Sequence, residues 1–272
     1  MMSTLEILYK TKAGRILLRG LISKPVSELS GQLLDSRLSK VLIKPFIRKN
    51  DIRTEDYQME NIGCFNDFFC RRIKKGLRPI SVEPKNFVAP CDGLLSVYRI
   101  HSGTVLKVKQ SSFNMKRLLR DRKLAAGFEG GYALVFRLCV NHYHRYVYFD
   151  SGYQYKNRSI EGVYHTVRPI ALEEYPVYIE NTREYTVMDT ENFGRCVQME
   201  VGAMLVGRIV NEKTGSCSVK RGEEKGHFEY GGSTIIVLVP GNKANLRKDL
   251  LENLDRDVEI PVKMGEVIGH SK

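Results

Sequence analysis

Val219-Lys220-Arg221-Gly222-Glu223-Glu224-Lys225-Gly226-His227 returns 43 residues later as Val262-Lys263-Met264-Gly265-Glu266-Val267-Ile268-Gly269-His270. The two runs share the template VKxGExxGH. A central glycine in such a run permits a tight turn between strands. Two equivalent turns in one chain predict a pseudo-symmetric β-sandwich or barrel. The surrounding sequence agrees. Residues 87–88, 94–98, 104–108, 132–139, 143–149, 198–201, 205–210 and Ser233–Val239 read as short strands, divided by turns with Gly or Pro, with one helix over 115–126. That spacing predicts a mostly antiparallel β-core.

Upstream the pattern is helical, so the expected class is α+β, with a basic helical region over 1–80 and a β-rich domain over 81–272. Residues 14–23 set Arg15 and Arg19 four apart among Ile16, Leu17, Leu18, Leu21 and Ile22. A short basic amphipathic helix of this kind lies on a membrane surface or packs on the protein's own core. Residues 33–49 predict a second helix, broken at Pro45. Phe65, Phe68, Phe69 and Ile73 recur at three or four residues, with Gly76 and Pro79 as stop signals.

The net charge is +12, and residues 1–80 hold 16 Lys and Arg against 8 Asp and Glu. A basic first third suits an anionic partner, or is a solvated face. No apolar run approaches the roughly 20 residues that span a bilayer, and no secretory signal is visible. The six cysteines form no CxxC pair and have no zinc spacing; Cys139, Cys196 and Cys217, in apolar or β-like surroundings, read as reduced small core residues of a cytosol-facing protein, and no metal is expected.

Chemistry is concentrated in Tyr230-Gly231-Gly232-Ser233-Thr234. Two glycines before a hydroxyl residue form an ordinary turn into a strand, or a Gly–Ser bond open to attack by its own serine. Such a cut needs a base and an orienting acid. Asp92 lies in Ala89-Pro90-Cys91-Asp92-Gly93, where an Asx-turn is the plain alternative. His144 lies in His142-Tyr143-His144-Arg145-Tyr146; on a strand, His142 and His144 would share a face. His165 is a further candidate. Each histidine taken alone is more often a buried structural residue.

In order along the chain, these segments resemble the phosphatidylserine decarboxylase family. Phe65-Asn66-Asp67-Phe68-Phe69, Arg71-Arg72 and Arg78-Pro79-Ile80 are similar to its FNxFFxRxL…RPI segment. Ala89-Pro90-Cys91-Asp92-Gly93 is similar to its SPxDG turn, Tyr143-His144-Arg145 to its YHR strand, and 201–207 to its VGAxxVG segment. Gly231-Gly232-Ser233-Thr234 matches its processing region. The resemblance implies a proenzyme that cuts itself between Gly232 and Ser233, giving chains 1–232 and 233–272. Ser233 would become a pyruvoyl cofactor that forms a Schiff base with phosphatidylserine; carbon dioxide leaves, and phosphatidylethanolamine is released. Asp92 and a histidine would complete a Ser-His-Asp relay. Many members read DYHRxH; here His142 replaces the Asp and Val147 the second His. Either His144 serves both steps, or His165 reaches in. The resemblance also implies a peripheral protein on the cytoplasmic side of the cell membrane, held to anionic lipid by its basic N-terminal region, and a homodimer.

Two other readings compete. A pyruvoyl decarboxylase for a soluble substrate would not need the basic amphipathic region. The repeated template also resembles the hybrid barrels that carry lipoyl or biotinyl groups, yet no presented lysine flanked by Met is found. No aromatic stacking motif supports nucleic-acid binding.

Overall fold

A computed structural model of the chain describes residues 3–101, 105–108, 111–204, 208–231 and 233–272. Thr104, Leu205, Val206, Gly207 and Gly232, each part of a strand, matched segment or cut expected above, lie outside the described residues. Seventeen strands occur among those described. They are β1 (Asn86–Val88), β2 (Gly93–Arg99), β3 (Val105–Val108), β4 (Ser111–Asn114), β5 (Tyr132–Leu138), β6 (Arg145–Val147), β7 (Gly152–Gln154) and β8 (Arg158–Ile160). There follow β9 (Arg183–Thr190), β10 (Gly194–Val201), β11 (Ile209–Asn211), β12 (Cys217–Val219), β13 (Glu224–Phe228), β14 (Ser233–Val239), β15 (Ala244–Leu246), β16 (Ile260–Val262) and β17 (Val267–Ser271).

The main sheet runs β12-β7-β9-β10-β14-β5-β2-β16, with β8 on β9. Two small sheets, β1-β17-β15 and β11-β13-β6, cover it, and β3-β4 form a separate hairpin. All these ladders are antiparallel, as expected. The main path is open at β12 and β16, so no barrel closes among the described residues. Ser233–Val239 is the strand its sequence predicts. Its β-branched residues suit a pleated surface. Each side chain from Ile235 to Val239 is fully buried, worth about 1.5–3 kcal/mol apiece.

The repeated template is the visible part of a duplication. β12, the turn and β13 correspond to β16, the turn and β17. Gly222 and Gly265 both hold positive φ, at 76° and 84°. Gly222 N–H donates to Tyr148 O, and Gly265 N–H to Ala89 O, each at 2.9 Å. The carboxylate of Glu223 accepts from Lys220 N–H at 3.0 Å, and that of Glu266 from Lys263 N–H at 2.9 Å. Val219 faces Gly152 in β7, and Val262 faces Gly93 in β2. Ile80 lies against both turns, where a Cβ on Gly222 or Gly265 would meet its side chain.

The equivalence extends to seven strands on each side, in the same chain order. β1, β2, β5, β14, β15, β16 and β17 match β6, β7, β9, β10, β11, β12 and β13. The two copies meet at β10 and β14, with Gln198 opposite Val237 at the centre of symmetry. One copy is therefore inserted into the other. In the inserted half, β9 turns into β10 through Glu191, Asn192 and Phe193. In the host half, the same turn, between Leu138 and Ser233, is replaced by the whole inserted half.

The N-terminal helices are α1 (Thr4–Lys10), α2 (Lys12–Leu21), α3 (Lys24–Asp35), α4 (Ile43–Asn50) and α5 (Phe65–Phe69). Pro45 does not break a helix. It sits in the first turn of α4, where its missing N–H costs nothing. The Phe-rich helix ends at Phe69, well short of Gly76. The helix expected over 115–126 is two, α6 (Met115–Leu119) and α7 (Arg122–Ala126), because Arg120 is left-handed and Asp121 caps the second. Leu8, Tyr9, Leu18 and Ile22 join the main core. Ile43, Ile52, Tyr57, Phe65, Phe68 and Phe69 form a second cluster with Tyr143, Val147 and Met264. No described helix is long and apolar enough to cross a membrane.

Candidate active site

The interrupted hairpin holds two of the four candidate residues, Ser233 and His144. Ser233 opens β14 in register with Leu138, the last residue of β5. Its side chain is fully buried and Oγ has no hydrogen-bond partner among the described residues. A buried hydroxyl without a partner costs about 1–3 kcal/mol, and so needs an explanation. Two residues earlier, Gly231 has φ 131°, a conformation side chains rarely adopt.

His144 arrives at the same junction on the segment that leaves β5. Its carbonyl accepts from Phe228 N–H at 3.0 Å, and Phe69 packs on both its ring (4.1 Å between centroids) and that of Tyr230 (5.2 Å). His142 and His144 do not share a strand face as expected; they lie in a turn, and β6 begins only at Arg145. His144 Nδ1 lies 3.0 Å from His142 O, so this nitrogen carries the proton. Nε2 is then a bare acceptor, buried and unpartnered among the described residues. Burial first, and then the charge of Arg71, hold the pKa of His144 well below the usual imidazole range. The ring is neutral, as a proton acceptor must be.

Asp92 is not hydrogen-bonded to His144. Its carboxylate takes a two-pronged ion pair from Arg78, at 2.7 and 2.5 Å, and accepts from Met264 N–H at 2.9 Å. Its electrostatic influence falls on His142, which is also exposed to Arg137 and Glu259. His165 lies apart from this arrangement. Its Nδ1 is 3.2 Å from Tyr9 Oη, its Nε2 3.5 Å from Glu180, and its ring stacks on Tyr175 at 4.4 Å. Burial lowers its pKa to about 4. It is a tether for α1, with neither nitrogen bare.

Residues 65–80 contribute more than sequence reasoning assigned them. Phe65 and Phe69 grip Tyr230 edge-on, and Asn66 Oδ1 accepts from Tyr230 N–H at 3.2 Å. Arg78 holds Asp92 and Ile80 supports both duplicated turns. The signal was present in the FNDFF and RPI segments, but nothing in their spacing says what they touch.

A cavity of about 410 Å³ opens on Tyr230 and Gly231. Leu138, Val140, Val167 and Met204 give it apolar walls, Leu5 of α1 reaches it, and Arg137 and Arg168 supply cations. Arg137 is bound by Glu259 at 2.6 Å, whereas the Arg168 side chain is exposed and forms no ion pair among the described residues. One trio among those residues, Glu212, Glu224 and His227, brings ligand atoms within 4.8 Å. Glu224 already pairs with Arg72 and Arg145, so the trio is poorly suited to a cation.

The interrupted hairpin thus carries a buried serine at the start of β14, a neutral buried histidine before β6, and a cavity that reaches Gly231, two residues before the serine. The family model for phosphatidylserine decarboxylase matches residues 65–270. The chain is 40% identical over 269 residues to phosphatidylserine decarboxylase proenzyme 2 of Clostridium acetobutylicum, covering 98% of this chain and 91% of that one. It is 39% identical over 266 residues to the phosphatidylserine decarboxylase proenzyme of Clostridium kluyveri, covering 96% and 90%. To the proenzyme of the same name from Ruminiclostridium cellulolyticum it is 35% identical over 271 residues, covering 98% and 90%. This chain belongs to the phosphatidylserine decarboxylase family.

Proposed function

We propose that this chain is a precursor that cuts itself between Gly232 and Ser233, and that the product converts phosphatidylserine to phosphatidylethanolamine and carbon dioxide. The observation that carries the reading is the pair of orphaned buried atoms, Ser233 Oγ and His144 Nε2, at the interrupted hairpin. His144 Nε2 takes the hydroxyl proton as Oγ attacks the Gly232 carbonyl carbon. The C–N bond breaks, the amine of Ser233 gains the proton, and Gly232 becomes an ester on Oγ. Loss of the Ser233 Cα proton then forms a Cα=Cβ double bond and expels the Gly232 carboxylate. Water replaces the nitrogen as ammonia, leaving a pyruvoyl group at position 233.

The site fits such a group. Ser233 is the group's own precursor, fully buried and without a competing hydrogen bond from its hydroxyl among the described residues. When formed, a pyruvoyl carbonyl supplies the electron sink for decarboxylation of an amino acid head group. The cavity at Gly231 takes that head group, with Arg168 facing its anionic part. Asp92 orients the turn through Arg78 and Met264, and His144 handles the proton.

Residues 1–80 form the docking region and 81–272 the catalytic domain. Ile16, Leu17, Leu29, Leu33, Leu38 and Val41 are all more than half exposed. They lie among Lys12, Arg19, Arg37 and Lys40. Apolar anchoring, plus about 1 kcal/mol per nearby cation, holds the protein peripherally to the anionic cytoplasmic face of the membrane. A homodimer belongs to the same reading and rests on the resemblance alone. Intact mass under denaturing conditions tests the central claim: two species, the smaller blocked at its N-terminus, support it. A single uncut species with wild-type Ser233 would sink it.

A further inference from the structure

The segment between β5 and His144 is closed twice. His142 N–H donates to Cys139 O at 2.9 Å, an ordinary turn. Cys139 N–H in return donates to the ring of His142, with Nδ1 at 3.1 Å. The side chain of His142 therefore occupies the role an Asx side chain plays when it accepts a nearby amide. Because Nδ1 accepts, the neutral ring carries its own proton on Nε2. The same residue's carbonyl is the acceptor for His144 Nδ1. Thus one residue joins the end of β5 to the imidazole of His144, with no carboxylate touching that imidazole.

We infer that His142 is the positioning residue of this site: its ring, by accepting Cys139 N–H, fixes the carbonyl that keeps the proton of His144 on Nδ1 and leaves Nε2 bare. The inference deepens the self-cutting reading and rests on it. It also accounts for the chemistry of position 142. What the turn requires there is an acceptor three bonds from Cα, which an imidazole, a carboxylate or a side-chain amide can provide. Asp92, whose oxygens are taken by Arg78 and Met264, makes no contact with His144; its charge is felt at His142. Without the acceptor, the turn keeps one bond in place of two. The carbonyl then drifts, and His144 is free to move its proton to Nε2, where it cannot receive one from Ser233.

Two variants and two readouts test this. In uncut Ser233→Ala protein with ¹⁵N-labelled histidine, long-range NMR should report a protonated Nδ1 and bare Nε2 for His144. Adding His142→Ala should give a mixture of tautomers, and adding His142→Asn should preserve the original one, since its Oδ1 can accept Cys139 N–H. With Ser233 present, His142→Ala should slow the cut about 100-fold, the scale of a misplaced catalytic group. His142→Asn should stay within about threefold of the parent. An unchanged tautomer in the alanine variant would overturn the inference, as would an asparagine variant no better than alanine in either readout. Failure of the parent chain to cut would refute the self-cutting reading instead, and the tautomer measurement would still decide the role of His142.

Discussion

The two halves of the duplication differ most where they should be most alike. In the inserted half, the hairpin between β9 and β10 is closed and its polar groups are matched. Thr190 Oγ1 donates to Gly194 O and accepts from Phe193 N–H, while buried Asp150 accepts from Asn192 and Arg221. In the host half, the corresponding hairpin is split by the insertion, and Ser233 stands where the other copy has Gly194. There Ser233 Oγ and His144 Nε2 are unmatched. The same strand framework matches its polar groups at one hairpin and leaves two unmatched at the other. Reactive groups can remain unsatisfied at the open junction because the buried ladders around it supply the stability.

The largest expected effect is at the serine. Ser233→Ala should abolish the cut, giving one species by intact mass, whereas Gly194→Ser, the equivalent change in the closed hairpin, should create no new cut. The latter should cost about 1–2 kcal/mol in chemical denaturation, because Gly194 has φ 72°. Cutting at the introduced serine would show that the open junction is not what matters. Next, His144→Gln should slow the cut by about 10²–10⁴-fold, the usual contribution of a general base. Wild-type kinetics would remove His144 from the mechanism.

The cores of the halves can also be set against each other. The inserted half buries the pair Lys225–Glu200, 2.8 Å apart and both fully buried, and burial pushes Glu200 up to about 7. The host half has Ile268 and Val239 in those places. Lys225→Ala should cost about 3–5 kcal/mol by stranding the carboxylate. The double change Glu200→Val with Lys225→Ile, which copies the host half, should be neutral or stabilising by about 1–4 kcal/mol. Urea unfolding checks both, and a double variant weaker than Lys225→Ala would show that the halves are not interchangeable.

A smaller contrast comes from acid. His227 is half-buried, and desolvation lowers its pKa to about 4, while its counterpart His270 is exposed. A lowered folded-state pKa contributes stability above the unfolded value, near 6.5, and loses it as pH falls through the folded one. Between pH 6.5 and about 4, hydrogen exchange should therefore open β13 before β17. Equal protection of both strands would count against the assignment.

Much of this architecture was legible from residues. Ser233–Val239 announced itself by β-branched residues, and the VKxGExxGH template located two turns that prove superimposable bond for bond. The insertion was not legible, because the halves share little beyond that template; their likeness resides in backbone pairing. Residues 143–149 read as strand, with His142 on the face of His144, because Tyr143 and Tyr146 favour strands locally, while the bond from Cys139 N–H to the His142 ring decides otherwise. Asn114 and Asp121 did announce two helix starts within 115–126, a signal overridden by the apolar run. Ser233 and His144 could be picked out, but the partners of Asp92 come from positions 78 and 264, which no local pattern connects.

The place of β14 between β5 and β10 has a consequence for the life of the cut protein. The shorter product would contribute a strand hydrogen-bonded on both edges to the longer one, with β16 and β17 laid on β2 and β1. Cutting would sever the chain without freeing either piece, so the fragments would part only when the whole sheet comes undone. The precursor then refolds as one molecule at any dilution. The cut form, once unfolded, must find its missing strand by diffusion, against an association entropy of about 4–15 kcal/mol. Folding is thus reversible before the cut and concentration-dependent after it, and the protein's durability passes from thermodynamics to the rate at which a central strand can escape.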